Sequence, residues 1–154
     1  MTVKLSLKTD PLRVPLKAPY SSVTVKVRRL RSPEWDGARE AAQGIVNDDA
    51  KLWPILVEHD LLPAGGLKAL KRKRDNDPIE YWAFLSGVVA WLVAVECALL
   101  GLLEWEGIID QETGAPAEIN RATLQVLLLD DAMSQQLMQL LTDAARVLVV
   151  EGKP

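Results

Sequence analysis

The chain opens in alternation. Val3, Leu5 and Leu7 fall on one side of an extended backbone and Lys4, Ser6 and Lys8 on the other, as in a strand with one solvated face. Leu12, Val14 and Leu16 continue the pattern, although Pro15 limits that stretch to an edge strand or an extended arm. Val23, Val25 and Val27 against Thr24, Lys26 and Arg28 give the cleanest strand, and Pro11, Pro15 and Pro19 punctuate the series. Residues 1–30 therefore read as a small antiparallel hairpin or sheet. An N-terminal arm that orders on binding fits the same pattern, because short ribbons are marginal alone.

At Ser32 the period changes to that of a helix. Ser32-Pro33-Glu34 supplies a serine N-cap, a proline in the first turn and an early acid, and Trp35, Ala38, Ala42, Ile45 and Val46 form the apolar face that follows. Asn47-Asp48-Asp49 ends this helix and caps a shorter one holding Leu52, Trp53, Ile55 and Leu56, with Pro54 in its first turn. Leu61 to Gly66 is a loop, and the basic run from Lys68 to Arg74 follows as a solvated helix end. This 61–77 stretch is the strongest internal boundary. Asp77-Pro78-Ile79-Glu80 then carries a full helix-start signature, with Glu80 placed to close a capping box.

Tyr81–Leu103 is almost unbroken in its apolarity and contains one carboxylate, Glu96. About 20 apolar residues suffice to cross a bilayer, so a single membrane span is one reading of it. Against that reading, Glu96 inside a span costs about 2.5–3.5 kcal/mol, and the amphipathic helices elsewhere need a central partner. Ala83, Gly87, Ala90, Ala94, Ala98 and Gly101 form a seam of small residues, with Phe84, Val88, Trp91, Val95, Leu99 and Leu102 beside it. Such a seam lets a second helix approach closely. The preferred expectation is a central core helix over 81–103. Beyond it, Asp110–Pro116 is a turn or hairpin tip and Asn120 caps a short helix carrying Leu124, Leu127 and Leu128. A last helix from Asp131 puts Met133, Leu137, Leu140, Leu141, Ala144 and Leu148 on one face. The fold class expected is α+β, mostly α, with a small N-terminal β-hairpin or sheet followed by a helical bundle around residues 81–103. All of it falls in a single domain, 1–154, of which 1–30 is the β-rich segment and 32–154 the helical core.

Composition narrows the chemistry. A chain 49% hydrophobic and 25% charged is globular, and a net charge of −3 does not attract nucleic acid over the surface as a whole. The single cysteine, Cys97, rules out an internal disulfide and a cysteine-based zinc site. The first residues lack the apolar core of a signal peptide, so the expected location is the cytoplasm. His59, the only histidine, is expected at the surface between Glu58 and Asp60, and Cys97 as a small core hydrophobe. Glu104, Glu106, Asp110 and Glu112 lack the ligand order of a calcium loop and read as a solvated turn. The five tryptophans read as core fillers. No enzyme, cofactor or metal site is expected.

The run Leu103-Glu-Trp-Glu-Gly-Ile-Ile-Asp-Gln-Glu-Thr-Gly-Ala-Pro-Ala-Glu-Ile-Asn, then Leu124-Gln-Val-Leu-Leu-Leu-Asp and a final amphipathic helix, resembles the tail assembly chaperones of long-tailed bacteriophages and prophages. Residues 103–130 carry the pattern, and the strand-rich start with Ser-Pro-Glu-Trp opening a helix agrees in outline. The resemblance implies a non-enzymatic protein of the host cytoplasm that binds the phage tape measure protein and recruits tail tube subunits, with a homo-oligomer as a further partnership. Relatives of this role are a prophage protein that interferes with another phage's tail assembly and a structural tail or completion subunit. An apolar groove for a helical client is expected at Trp105 and Ile108 in the turn, Leu124 in the short helix, and Leu137 and Leu141 in the last helix. The competing expectation is that these leucines close the core.

Overall fold

The computed structural model describes residues 2–5, 11–144 and 148–151, which form six helices and five short strands. Strands β1 (Thr2–Leu5) and β5 (Leu148–Glu151) pair antiparallel as a separate ribbon, with Val3 opposite Val150. Strands β2 (Leu12–Pro15), β3 (Thr24–Val27) and β4 (Leu102–Glu106) make a second antiparallel sheet in that order, so β3 is central and Pro15 lies at an edge. The mostly helical α+β architecture is the expected one. Its sheet differs in origin, because the first strand pairs with residues near the C-terminus and β4 comes from the end of the apolar stretch. Leu7, expected in the first strand, lies outside the described residues.

Six helices follow or interrupt these strands: α1 (Ser32–Val46), α2 (Asp49–Glu58), α3 (Gly66–Asn76), α4 (Pro78–Gly101), α5 (Arg121–Leu127) and α6 (Asp131–Ala144). Helix α1 begins one residue earlier than expected, with Arg31 at the cap position and Ser32 already in the first turn. A guanidinium cannot accept a hydrogen bond, so only the carboxylate half of a capping box forms: the Arg31 N–H donates to Glu34 Oε1 at 3.2 Å. Glu34 also receives both arms of Arg28, at 3.2 Å and 2.5 Å, which ties the end of β3 to the start of α1. In α2, Asp48 caps as expected, but Pro54 sits one turn deeper than the first turn.

The basic run is helical, as expected. It is helix α3, anchored by the fully buried Leu70. Lys73 Nζ reaches Glu80 Oε1 at 2.8 Å, while Arg74 pairs with Asp49 at 3.2 Å and lies 5.8 Å from the Trp53 ring centroid. Glu80 therefore engages Lys73 instead of closing the capping box. Asp77 alone caps α4, accepting the Glu80 N–H at 3.3 Å.

Helix α4 is the centre of the molecule: α1, α3, α5 and α6 all pack on it. Leu85, Val88, Trp91, Leu92, Val95 and Cys97 are buried along it. It is long and apolar enough to cross a membrane, and 39% of its most apolar 18-residue window is buried inside the protein. Only the second half of the small-residue seam is covered. Ala94, Ala98 and Gly101 are buried, whereas Ala83, Gly87 and Ala90 are exposed. At Gly101 a side chain would meet Leu141 Cδ2 at 2.5 Å and Leu30 Cδ2 at 3.3 Å, so the missing Cβ is what lets α6 and Leu30 close on the helix end. Glu96 is held by Arg121 in a two-armed pair at 3.0 Å and 3.1 Å, which explains how a carboxylate tolerates this helix.

The helix does not run to Leu103 as expected. The Gly101 carbonyl accepts the Arg28 N–H at 2.8 Å, and Leu102 turns to extended backbone and pairs with Val27. Val25 faces Trp105 and Val27 faces Leu102 across the sheet, two residues against three. The register shifts between Lys26 and Val27, and the surplus residue on β4 leaves Leu103 exposed. The bulge keeps both Leu102 and Trp105 on the core side. In α6, Met133, Leu137 and Leu141 point inward, but the helix ends at Ala144 and Leu148 belongs to β5.

Candidate functional site

The segment after β4 is built by local chemistry. Gly107 adopts φ +90°, and a Cβ there would collide with the Ser22 carbonyl oxygen. A hairpin follows: the Ala117 N–H donates to the Ile108 carbonyl at 3.0 Å and the Asp110 N–H to the Ala115 carbonyl at 2.9 Å. Asp110 Oδ1 accepts the N–H groups of Glu112 and Thr113 at 2.8 Å and 3.3 Å, and Gly114 takes φ +70°, so the expected hairpin tip is present. Trp105 Nε1 donates to the Ala117 carbonyl at 2.7 Å, pinning the hairpin to the sheet. Asn120 and Thr123 close a reciprocal capping box, the Thr123 N–H donating to Asn120 Oδ1 at 2.9 Å and the Asn120 N–H to Thr123 Oγ1 at 3.1 Å.

These devices set the hairpin and α5 face to face across an open hollow of about 360 Å³. Trp105, Ile108, Ile109 and Ala117 form one wall and Ala122, Thr123, Val126 and Leu127 the other. On the far side of the last turn of α5 lies a second hollow of about 290 Å³, between Leu61, Phe84, Gly87, Trp91, Leu128 and Leu129. Val126 belongs to the first hollow and Leu129 to the second, so the four residues 126–129 form a ridge between them. Ile109 is 64% exposed, Val126 63% and Leu129 41%, and such apolar exposure on one short segment exceeds what scattered surface residues require.

Of the expected partner residues, Trp105 and Ile108 line the first hollow. Leu124, Leu137 and Leu141 do not: all three are buried in the core, and Leu137 and Leu141 follow Met133 at four-residue spacing on the inward stripe of α6. Sequence reasoning missed Ile109, Ala122, Val126 and Leu129. The available signal was Val126, an apolar residue on the face of α5 opposite Leu124 and Leu128. Ile109 carried the same signal, because neighbours in an extended segment point to opposite sides and Ile108 takes the inner place.

His59 is not a free surface residue. It is half-buried, with Nε2 at 3.2 Å from Gln125 Oε1 and its ring edge-on to Trp91 at 5.3 Å, while Trp91 Nε1 donates to the Gln125 carbonyl at 3.1 Å. The cluster latches α2 and α4 to α5. Cys97 is buried as expected, and burial pushes its thiol up to about 11, so it holds no reactive thiolate at neutral pH. Glu104 and Glu106 stand on a strand and not in a turn, where Arg13 bridges them at 3.0 Å and 3.1 Å. Among the described residues no three His, Cys, Asp or Glu side chains gather as metal ligands. The tryptophans divide: Trp91 is buried, Trp35, Trp53 and Trp105 are partly so, and Trp82 is 59% exposed. With Ile79, 86% exposed, Trp82 heads an open apolar face on the first half of α4.

Comparison with known proteins adds no further likeness: no family model, no curated protein and no solved structure matches the chain.

Proposed function

We propose that the protein is a non-enzymatic interaction protein that seats an apolar segment of a partner on the surface between Trp105 and Leu129. The observation that carries this reading is the pair of open apolar hollows on either side of the Val126–Leu129 ridge. They lie within residues 103–130 or border them, the segment that resembles the tail assembly chaperones of long-tailed phages. The resemblance supplies the client: a tape measure protein, long, helical and poorly soluble on its own, with tail tube subunits recruited to it. An amphipathic segment of such a client would lay its apolar face over Ile109, Val126 and Leu129.

The test is co-expression with a tape measure protein of a long-tailed phage, taken from the same genome as this chain. The wild type is expected to keep that protein soluble and to co-purify with it. Val126→Asp, at an exposed position that leaves the fold intact, is expected to return the client to the pellet. A client equally soluble with the variant, or insoluble with both, counts against the reading.

A second reading follows from α4, whose length and apolarity suit a membrane span. In that case the exposed Ile79 and Trp82 would contact lipid. Spanning would strip α1, α3, α5 and α6 from the helix on which they pack. A monodisperse protein obtained without detergent rejects it.

A further inference from the structure

We infer that the partner segment is a basic amphipathic helix, selected by the acidic rim of the apolar surface; this rests on the reading of that surface as a partner seat. The shape argues for a helix. Val126 and Leu129 form a ridge at helical spacing with a hollow on each side, the relief that a second helix meets with its own rows of side chains. An extended peptide would need a free strand edge. The ridge offers none, because the Leu128 N–H already donates to the Leu124 carbonyl at 2.9 Å and the Leu129 N–H to the Val126 carbonyl at 3.2 Å.

Charge selects among helices. Between Leu102 and Asp143 the chain carries eight carboxylates and one cation, Arg121. Arg121 is spent on Glu96, and Arg13 and Lys26 satisfy Glu104 and Glu106. Six exposed carboxylates remain without a cationic partner among the described residues; Asp143 lies apart near the end of α6, and the other five flank the apolar band. Asp110, Glu112 and Glu118 stand at the Ile109 end of the apolar band, and Asp130 and Asp131 follow Leu129 at the other. Lysines and arginines flanking an apolar stripe would meet them from either side, whereas an acidic helix would be repelled at both ends.

Two fluorescein-labelled model helices of about 18 residues, one Leu/Lys and one Leu/Glu on the same apolar stripe, decide the matter by fluorescence anisotropy. The Leu/Lys helix is expected to bind wild-type protein at least about tenfold more tightly than the Leu/Glu helix, with affinity falling as salt rises. Val126→Asp is expected to weaken it by about tenfold or more, with Ile109→Asp as an independent second variant. Both add a negative charge, so attraction by charge alone would strengthen with them. The triple variant Asp110→Asn, Glu112→Gln, Glu118→Gln keeps the turn-capping oxygen at residue 110 and is expected to cost about threefold to tenfold. Equal binding of both helices, lost in Val126→Asp, would overturn the charge selection and leave the seat standing. Binding of the Leu/Lys helix that survives or strengthens in both Asp variants would overturn the seat itself, as would no binding of either helix.

Discussion

Glu34 shows how one side chain joins elements and sets a pH dependence. The Arg28 guanidinium beside it, helped by the Arg31 N–H, holds its carboxyl at about 2, below its ordinary value of 4.5. A depressed folded-state value means that the contribution is complete above the unfolded value and lost as pH falls from about 4.5 toward 2. Glu34→Gln is therefore expected to lower stability by about 1–2 kcal/mol at pH 7 and to flatten the acid limb of the unfolding curve below pH 5. Denaturant midpoints at pH 7, 5 and 3 check this, and equal losses at all three pH values would contradict it. From sequence alone Glu34 was legible only as an early acid in a helix. Its partner Arg28 belongs to a strand, and nothing in the local pattern announces that contact.

At the scale of elements, apolar continuity hid the exit of α4. Leu102 and Leu103 extend a run of helix-compatible residues, so period alone carries the helix to Leu103. What ends it is tertiary: the Arg28 N–H takes the Gly101 carbonyl, and β3 offers an edge on which Leu102–Glu106 completes a sheet. The strands of residues 12–27, the caps at Asp48, Asp77 and Asn120, and the hairpin tip at Gly114 were legible because each is fixed by neighbours in sequence. The bulge makes a sharp expectation for two adjacent leucines. Leu102→Lys buries an unpaired charge and is expected to cost about 3–5 kcal/mol or prevent folding, whereas Leu103→Lys on the exposed side is expected to change stability by less than about 0.5 kcal/mol. Thermal melts of the two variants check it. A continuous helix through Leu103 would rotate these neighbours by about 100° instead of placing them on opposite faces of a sheet, and would not give so clean a contrast.

For the whole molecule, the core and the candidate seat divide the apolar residues of residues 102–143 between them. Leu124, Leu137 and Leu141, the strongest periodic positions, go inward because strong periodicity is the mark of a core stripe. Ile109, Val126 and Leu129, which break the period, remain outside. The half of the seat that sequence reading found, Trp105 and Ile108, was visible through the turn motif and not through hydrophobicity. Amide chemical-shift mapping of the labelled protein, titrated with the tape measure polypeptide proposed as its client, is the sharpest test of that division. Perturbations are expected at residues 105–111, 117 and 122–129 and at Leu61, Phe84 and Gly87 of the second hollow, with the open α4 face at Ile79, Trp82 and Ala83 unchanged. Perturbations centred on that α4 face, or none at Ile109, Val126 and Leu129, would contradict it.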